Sequence, residues 1–223
     1  MAVIHAEDVA PDTMIHLMEN LVSFIVPLPE EFNVMARRAA FPVPSLREDW
    51  ELGNYFSGST EPWNVEILAS LLKASCAKTV LECGGYLGCT SAWLALTLQQ
   101  MGGGTFHIAE LEADRAMACD KRLSELPIPD VTWRVWQDDV FNVIAAQPDD
   151  SLDYVWVDDN HEKDHVDREI TALIPKMRSK GLILGHDVWG SCDLQEIFVK
   201  HGGYALDFPK IGLAGGIGVI QIR

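Results

Sequence analysis

Val80–Ser91 reads VLECGGYLGCTS, and the reading of this stretch decides the rest. An apolar run closes on a carboxylate, Glu82. Two adjacent glycines follow, then Tyr86, a third glycine at Gly88, and the helix-opening pair Thr90-Ser91. That pattern describes a buried strand whose backbone turns sharply at Gly84 and Gly85 and enters a helix through Gly88. Glycine accepts positive φ and lets a ligand lie against bare backbone. The N–H groups that open the following helix have no partner within it and suit an anionic group. A turn that holds no ligand has the same glycine pattern. Glu82 argues against that plainer reading, because a carboxylate at the end of a buried strand needs a partner.

Outward from this turn, strand and helix patterns alternate with short connections. A helix is expected over Val65–Ala74, its approach marked by Thr60-Glu61-Pro62. Strand one is Thr79–Cys83 and its helix Thr90–Gln99, closed by three glycines at 102–104. The next elements are a strand over Thr105–Ala109, a helix over Asp114–Leu123, a strand over Val131–Trp136 and a short helix over Val140–Ala146. Strand four is Leu152–Val157, followed by a helix over His165–Arg178 and strand five at Gly181–Leu184. Gly203–Phe208 and Gly216–Ile222 read as a closing hairpin. Such βαβα alternation argues for an α/β fold with a doubly wound, mostly parallel sheet covered by helices on both faces. Residues 1–50 do not continue the alternation. Rich in proline and apolar patches, they read as an N-terminal extension or lid, helical in character, ahead of a domain over 51–223.

Composition narrows the function. The 223 residues fit one large domain with enough length to bury a core. Thirty-three acidic against 17 basic residues give a net charge of −16, which disfavours a nucleic-acid partner. No apolar run reaches the roughly 18 residues of a membrane span, and the start lacks a secretory pattern. The five cysteines show no CxxC or zinc spacing and read as reduced core thiols of a cytoplasmic protein.

Ligands in an open parallel sheet gather beyond the carboxyl ends of the strands, where strand order reverses. Carboxylates occur at all five expected strand ends. Strand one supplies Glu82, Gly84, Tyr86 and Gly88; strand two supplies Glu110, 22 residues after Gly88, placed to accept from both hydroxyls of a ribose. Strand three ends in Gln137-Asp138-Asp139, strand four in Asp158-Asp159-Asn160-His161, and strand five in His186-Asp187. Glu110 also suits the first turn of a helix, and Asp138 or Asp139 also suits a helix cap. Asp158 and Asp187, however, end strands expected to be neighbours, so their side chains converge as oxygen ligands for a hard divalent cation. His161 is expected to face the same pocket and His165, one turn further, to lie on the surface.

These motifs resemble the class I S-adenosylmethionine-dependent methyltransferases, and among them the metal-dependent small-molecule O-methyltransferases, from about Glu61 to Arg223. ECGGYLGCTS is similar to the catechol O-methyltransferase loop ELGAYCGYSA. WVDDNHEKDHV is similar to the D-G-D-H-x-Y-E-x-V segment of bacterial relatives, including the macrolide-sugar O-methyltransferases, and GLILGHDV to their G-G-x-I-x-x-H-D strand. The resemblance implies a seven-stranded Rossmann-like sheet with an antiparallel C-terminal hairpin strand. It implies that Glu82, Gly84, Gly85, Tyr86, Gly88 and Thr90 hold the methionine side of S-adenosylmethionine, Glu110 the ribose, and Gln137 and Asp138 the adenine. A divalent metal, magnesium by the family's habit, is implied at Asp158, His186 and Asp187, with His161 and Asp158 as the catalytic pair. Asn160 and His186 stand where relatives carry carboxylates, and Lys163 replaces an aromatic.

The expected activity is therefore methyl transfer to a hydroxyl of a small molecule, with a homo-oligomer as one possible assembly and no membrane partner. Two rivals remain. One is a cofactor-binding protein of the same fold without methyl transfer. The other is a nicotinamide oxidoreductase, which the G-G-x-x-G spacing fits poorly because it lacks G-x-G-x-x-G.

Overall fold

A computed structural model describes residues 60, 62–189, 192–206 and 216–223, with Pro62 and Trp63 placed by backbone alone. The expected extension over 1–50 lies outside the described residues. In chain order the elements are α1 (Pro62–Ser75), β1 (Thr79–Cys83), α2 (Cys89–Gln100), β2 (Gly104–Glu110), α3 (Ala113–Ser124), β3 (Val131–Gln137) and α4 (Val140–Ala146). They continue with β4 (Leu152–Val157), α5 (Lys163–Leu173), a 3-10 turn (Ile174–Lys176), β5 (Met177–Gly185), α6 (Gln195–Lys200), β6 (Tyr204–Leu206) and β7 (Ile217–Gln221).

The strands form one sheet in the order β3-β2-β1-β4-β5-β7-β6. β1 to β5 pair in parallel and β6 points the same way; β7, between β5 and β6, runs antiparallel to both. The chain builds outward from β1 through β2 to β3, then returns to place β4 on the other side of β1. Strand order therefore reverses between β1 and β4, which opens a crevice at their carboxyl ends.

Strand periodicity sorts the core into two layers. Val80, Phe106, Ile108, Tyr154 and Trp156 pack with Leu68, Leu72, Leu94 and Leu98 of α1 and α2. Leu81, Cys83, Val155, Val157 and Ile183 face the other way, onto Val143, Ile144, Val166, Ile170 and Phe198 of α4, α5 and α6. Each large side chain so buried contributes about 1.5–3 kcal/mol. Tyr154, wholly buried, keeps its hydroxyl satisfied by donating to the Leu68 carbonyl at 2.9 Å.

The expected helix over His165–Arg178 is shorter than the pattern suggested. α5 stops at Leu173; Pro175 lies in the 3-10 turn, and Met177-Arg178 already belong to β5. Proline supplies no N–H to continue an α-helix, and β5 pairs with β4 from Met177 onward. All five cysteines are free thiols, and Cys83, Cys89 and Cys119 are buried. Among the described residues no helix is long and apolar enough to cross a membrane.

Candidate functional site

The turn after β1 is built by close approach. A Cβ on Gly84, whose φ is +95°, would stand 2.4 Å from the Asp158 carbonyl oxygen, so only glycine lets β1 and β4 meet here. The N–H groups of Gly84 and Gly85 both donate to the Ala109 carbonyl at 3.0 Å, and the Asp158 N–H to the Cys83 carbonyl at 2.9 Å. Three strand ends are thereby locked together around one cleft of about 880 Å3.

Gly84, Tyr86, Glu110, Asp138, Asp158, His161, His186 and Asp187 all line this cleft, as the sequence reading expected. Glu110 accepts from the Tyr86 N–H at 2.7 Å and the Glu112 N–H at 2.9 Å. These bonds fix its carboxylate at the tip of β2. Arg115, the one lysine or arginine among the described lining residues, stacks its guanidinium 5.0 Å over the Tyr86 ring. Asp138 accepts from the Asn142 side chain at 2.8 Å and the Asp139 N–H at 2.7 Å, which lowers its pKa. Asp139 takes the capping role, accepting from the Phe141 N–H at the start of α4.

Five expected cofactor residues do not line the cleft: Glu82, Gly85, Gly88, Thr90 and Gln137. Glu82 shares its face of β1 with Val80 and points beneath the loop, 1% exposed, where it accepts from the Ser91 hydroxyl. Burial, together with the Asp158 and Glu110 charges, raises its pKa well above the usual carboxylate range. Gly85 and Gly88 leave room for Ile108 and Cys119 respectively. Thr90 donates to the Thr60 hydroxyl at 3.0 Å, and Gln137 is an exposed residue paired with Glu110 across β2 and β3. These residues shape the loop from behind.

At the other end of the cleft the imidazoles gather on Asp158. Its Oδ2 accepts from the Thr60 hydroxyl at 2.7 Å; its Oδ1 lies 3.0 Å from His186 Nδ1 and 3.4 Å from His161 Nε2. A carboxylate only accepts, so His186 Nδ1 carries the hydrogen. Burial alone would raise the Asp158 pKa, but His186, His161 and Thr60 together hold it well below the carboxylate range. His161, pressed against Asp158 and 3.6 Å from Asp187 Oδ2, has its pKa raised. Trp189 packs, partly buried, against the core layer of Leu81, Val155 and Ile183, and Lys163 pairs with Asp193 at 2.8 Å.

Asp159 leaves β4 on the opposite face. Its Oδ2 lies 3.1 Å from Nε2 of His165 on α5, and that nitrogen is 3.8 Å from Glu169 Oε2. His165 is therefore no surface residue: it is half-buried and lines the cleft. Its helix turns one face inward at Val166, Glu169, Ile170 and Leu173, and His165 adjoins that stripe. The one sequence signal of this cluster is the four-residue spacing of His165 and Glu169. Thr60 carries no local signal of its bond to Asp158, 98 residues away.

Residues 81–188 match a sequence family described as a methyltransferase domain. No curated protein sequence matches the chain. The O-methyltransferase TomG from Streptomyces achromogenes, involved in tomaymycin synthesis and solved with S-adenosylmethionine, is 18% identical. It superposes with a TM-score of 0.63 over 82% of this chain and 92% of its own. An O-methyltransferase from Bacillus cereus in complex with S-adenosylhomocysteine gives 0.60 at 17% identity, covering 93% and 97%. The S-adenosylhomocysteine-bound methyltransferase PaMTH1 from Podospora anserina gives 0.64 at 14%, covering 89% and 98%. The sheet that reverses its order between β1 and β4 is the Rossmann-like fold of these solved methyltransferases, and the stretch that matches a methyltransferase domain spans that same reversal.

Proposed function

We propose that this chain is a methyltransferase acting on a hydroxyl oxygen of a small molecule, with His161 as the proton acceptor and Asp158 as the group that orients it. The observation that carries the reading is the shared cleft. It has a backbone-and-carboxylate end at Gly84, Tyr86 and Glu110, and an imidazole-and-carboxylate end at Asp158, His161, His186 and Asp187.

S-adenosylmethionine, when bound, supplies a methyl group on a positively charged sulfur. Gly84 and Tyr86 offer the backbone surface for its methionine side, and Glu110, already fixed by two N–H donors, keeps lone pairs for the ribose hydroxyls. The acidic lining suits a cationic donor. Holding donor and acceptor in line contributes up to about 7–11 kcal/mol in model reactions. Deprotonation must still be supplied, since a hydroxyl is a weak nucleophile until its proton leaves. His161 Nε2, beside Asp158 and Asp187, is placed to take that proton, and both carboxylates stabilise the imidazolium that results.

The donors at this end also fit a metal. Asp158, His161 and His186 bring ligand atoms within 4.8 Å of one another, and Asp187 adds a second carboxylate. Carboxylates together with imidazole suit a borderline cation such as Zn2+ better than magnesium, which favours oxygen and water. Such a cation would stabilise negative charge on the acceptor oxygen. His161 keeps its role as base only where Asp158, His186 and Asp187 hold the cation and leave the His161 Nε2 lone pair free.

Incubation with isotope-labelled methyl donor and a panel of phenols, catechols and sugars, with EDTA or with added Zn2+, tests the reading. Label transferred to acceptor oxygen, and lost in His161→Gln, is the expected result. Transfer to nitrogen or carbon acceptors alone would overturn it.

A further inference from the structure

We propose that Asp159, His165 and Glu169 form a second cation site, for a divalent transition metal such as Zn2+ or Co2+, on the opposite face of β4 from Asp158. The inference is independent of the methyl acceptor and of any metal at Asp158.

Glu169 carries the argument. It lies on the inward stripe of α5 with 0% exposure, and neither carboxylate oxygen has a hydrogen-bond partner of ordinary geometry. A charged carboxylate in that position requires donors, and a protonated one requires an acceptor for its hydrogen. The Cys83 thiol beside it is a weak donor. Asp159 and Asp139 bring charge of its own sign, and Asp159 can accept the hydrogen of a protonated Glu169, so that a metal cation binding here would take the place of that shared proton. Such an acid stays ionised only where a cation joins it; otherwise it holds a proton.

His165 and Asp159 complete a donor set around that acid. His165 Nε2 stands 3.1 Å from Asp159 Oδ2 and 3.8 Å from Glu169 Oε2, and one ligand atom from each residue falls within 4.8 Å of the others. Ligand atoms bound to one tetrahedral zinc at about 2.1 Å are themselves about 3.4 Å apart. The observed spacing brackets that value. The His165 ring is held by Phe141 of α4, with centroids 5.1 Å apart, so its orientation does not rest on the two acids alone.

Three protein ligands leave a fourth position. Asp159 and His165 line the cleft while Glu169 lies behind them, so that position faces the cavity and admits a water or a ligand atom. A cation here would tie α5 to the segment after β4 that also carries Asp158 and His161. In the related segment D-G-D-H-x-Y-E-x-V, the position of Asp159 is a glycine. The site therefore depends on residues particular to this chain.

The test is Co2+ titration of the EDTA-stripped full chain, followed by visible absorption and by thermal melting. The double variant Asp158→Asn, His186→Gln is expected to retain one equivalent of Co2+ with His–carboxylate bands. His165→Gln or Glu169→Gln in the otherwise native chain is expected to lose one equivalent, or to bind it at least tenfold more weakly, and to lose part of the Co2+-induced rise in Tm. Circular dichroism identifies any variant that does not fold, and His165→Gln then carries the test, since His165 is less buried than Glu169. The proposal is overturned if the native chain takes up no Co2+. It is equally overturned if all uptake vanishes with Asp158 and His186, or if His165→Gln binds as the native chain does.

Discussion

Asp158 and Asp159 are neighbours in sequence and opposites in circumstance. Asp158 turns to the face of β4 where Thr60 and two histidines meet it, and those partners hold it ionised. Asp159 turns to the other face, where a buried glutamate has no strong donor, and burial drives the Glu169 pKa far up. Both clusters are acidic and partly buried. What separates them is the supply of hydrogen-bond donors, so burial alone does not decide whether a carboxylate keeps its charge.

Gly84 is where the two clusters can be broken together. Its absent Cβ leaves space for the Asp158 carbonyl at 2.4 Å and the Asp159 Cα at 2.8 Å. Gly84→Ala adds overpacking to a left-handed backbone, and we expect a loss of about 2–5 kcal/mol in urea unfolding, with both clusters displaced. Near-native stability would show that the approach of β1 to β4 is not tight.

Turnover should separate the neighbours next. Asp158→Asn is expected to lower kcat by about 10²–10⁴-fold at saturating donor, because His161 loses the group that orients it. Asp159→Asn should leave most of the rate, and equal losses in the two variants would erase the contrast.

Stability against pH gives the comparison its sign. In metal-free buffer the Asp158 carboxyl has a folded pKa below its ordinary 3.8. Its contribution is present above that pH and lost as pH falls through the folded value. Glu169 is raised above 4.5, so its contribution is full below pH 4.5 and lost as pH rises toward the folded value. At pH 8, Glu169→Gln should therefore raise Tm in EDTA while Asp158→Asn lowers it. A rate profile adds a further check: His161 is raised above 6.5, and it must lose its proton to act as a base. The acid limb should lie above pH 6.5 and move down in Asp158→Asn.

The smallest expected effect is that of Thr60→Val, which removes one donor from Asp158 and should cost about 1–2 kcal/mol in urea unfolding. No measurable change would mean that the histidines alone hold the charge.

Much of the cleft is legible in the pattern of the chain. Gly84, Glu110, Asp158, His161, His186 and Asp187 each follow a strand that the apolar pattern reveals, and strand ends in a parallel sheet share one edge. Thr60 is not legible there, since no local pattern links it to a carboxylate 98 residues away. Glu82 is legible as a buried acid but not as one turned beneath the loop toward Ser91. His165 and Glu169 read as ordinary helix residues until α5 is packed against the sheet.

Strands, the turn that only glycine permits, and the edge on which the acids collect all follow from the order of residues. Periodicity and backbone sterics act within a few residues, so one chain carries them openly. Which acid meets donors and which meets another acid is settled only by packing. That outcome depends on desolvation and on partners brought from distant segments, and neither exists until the helices close over the sheet.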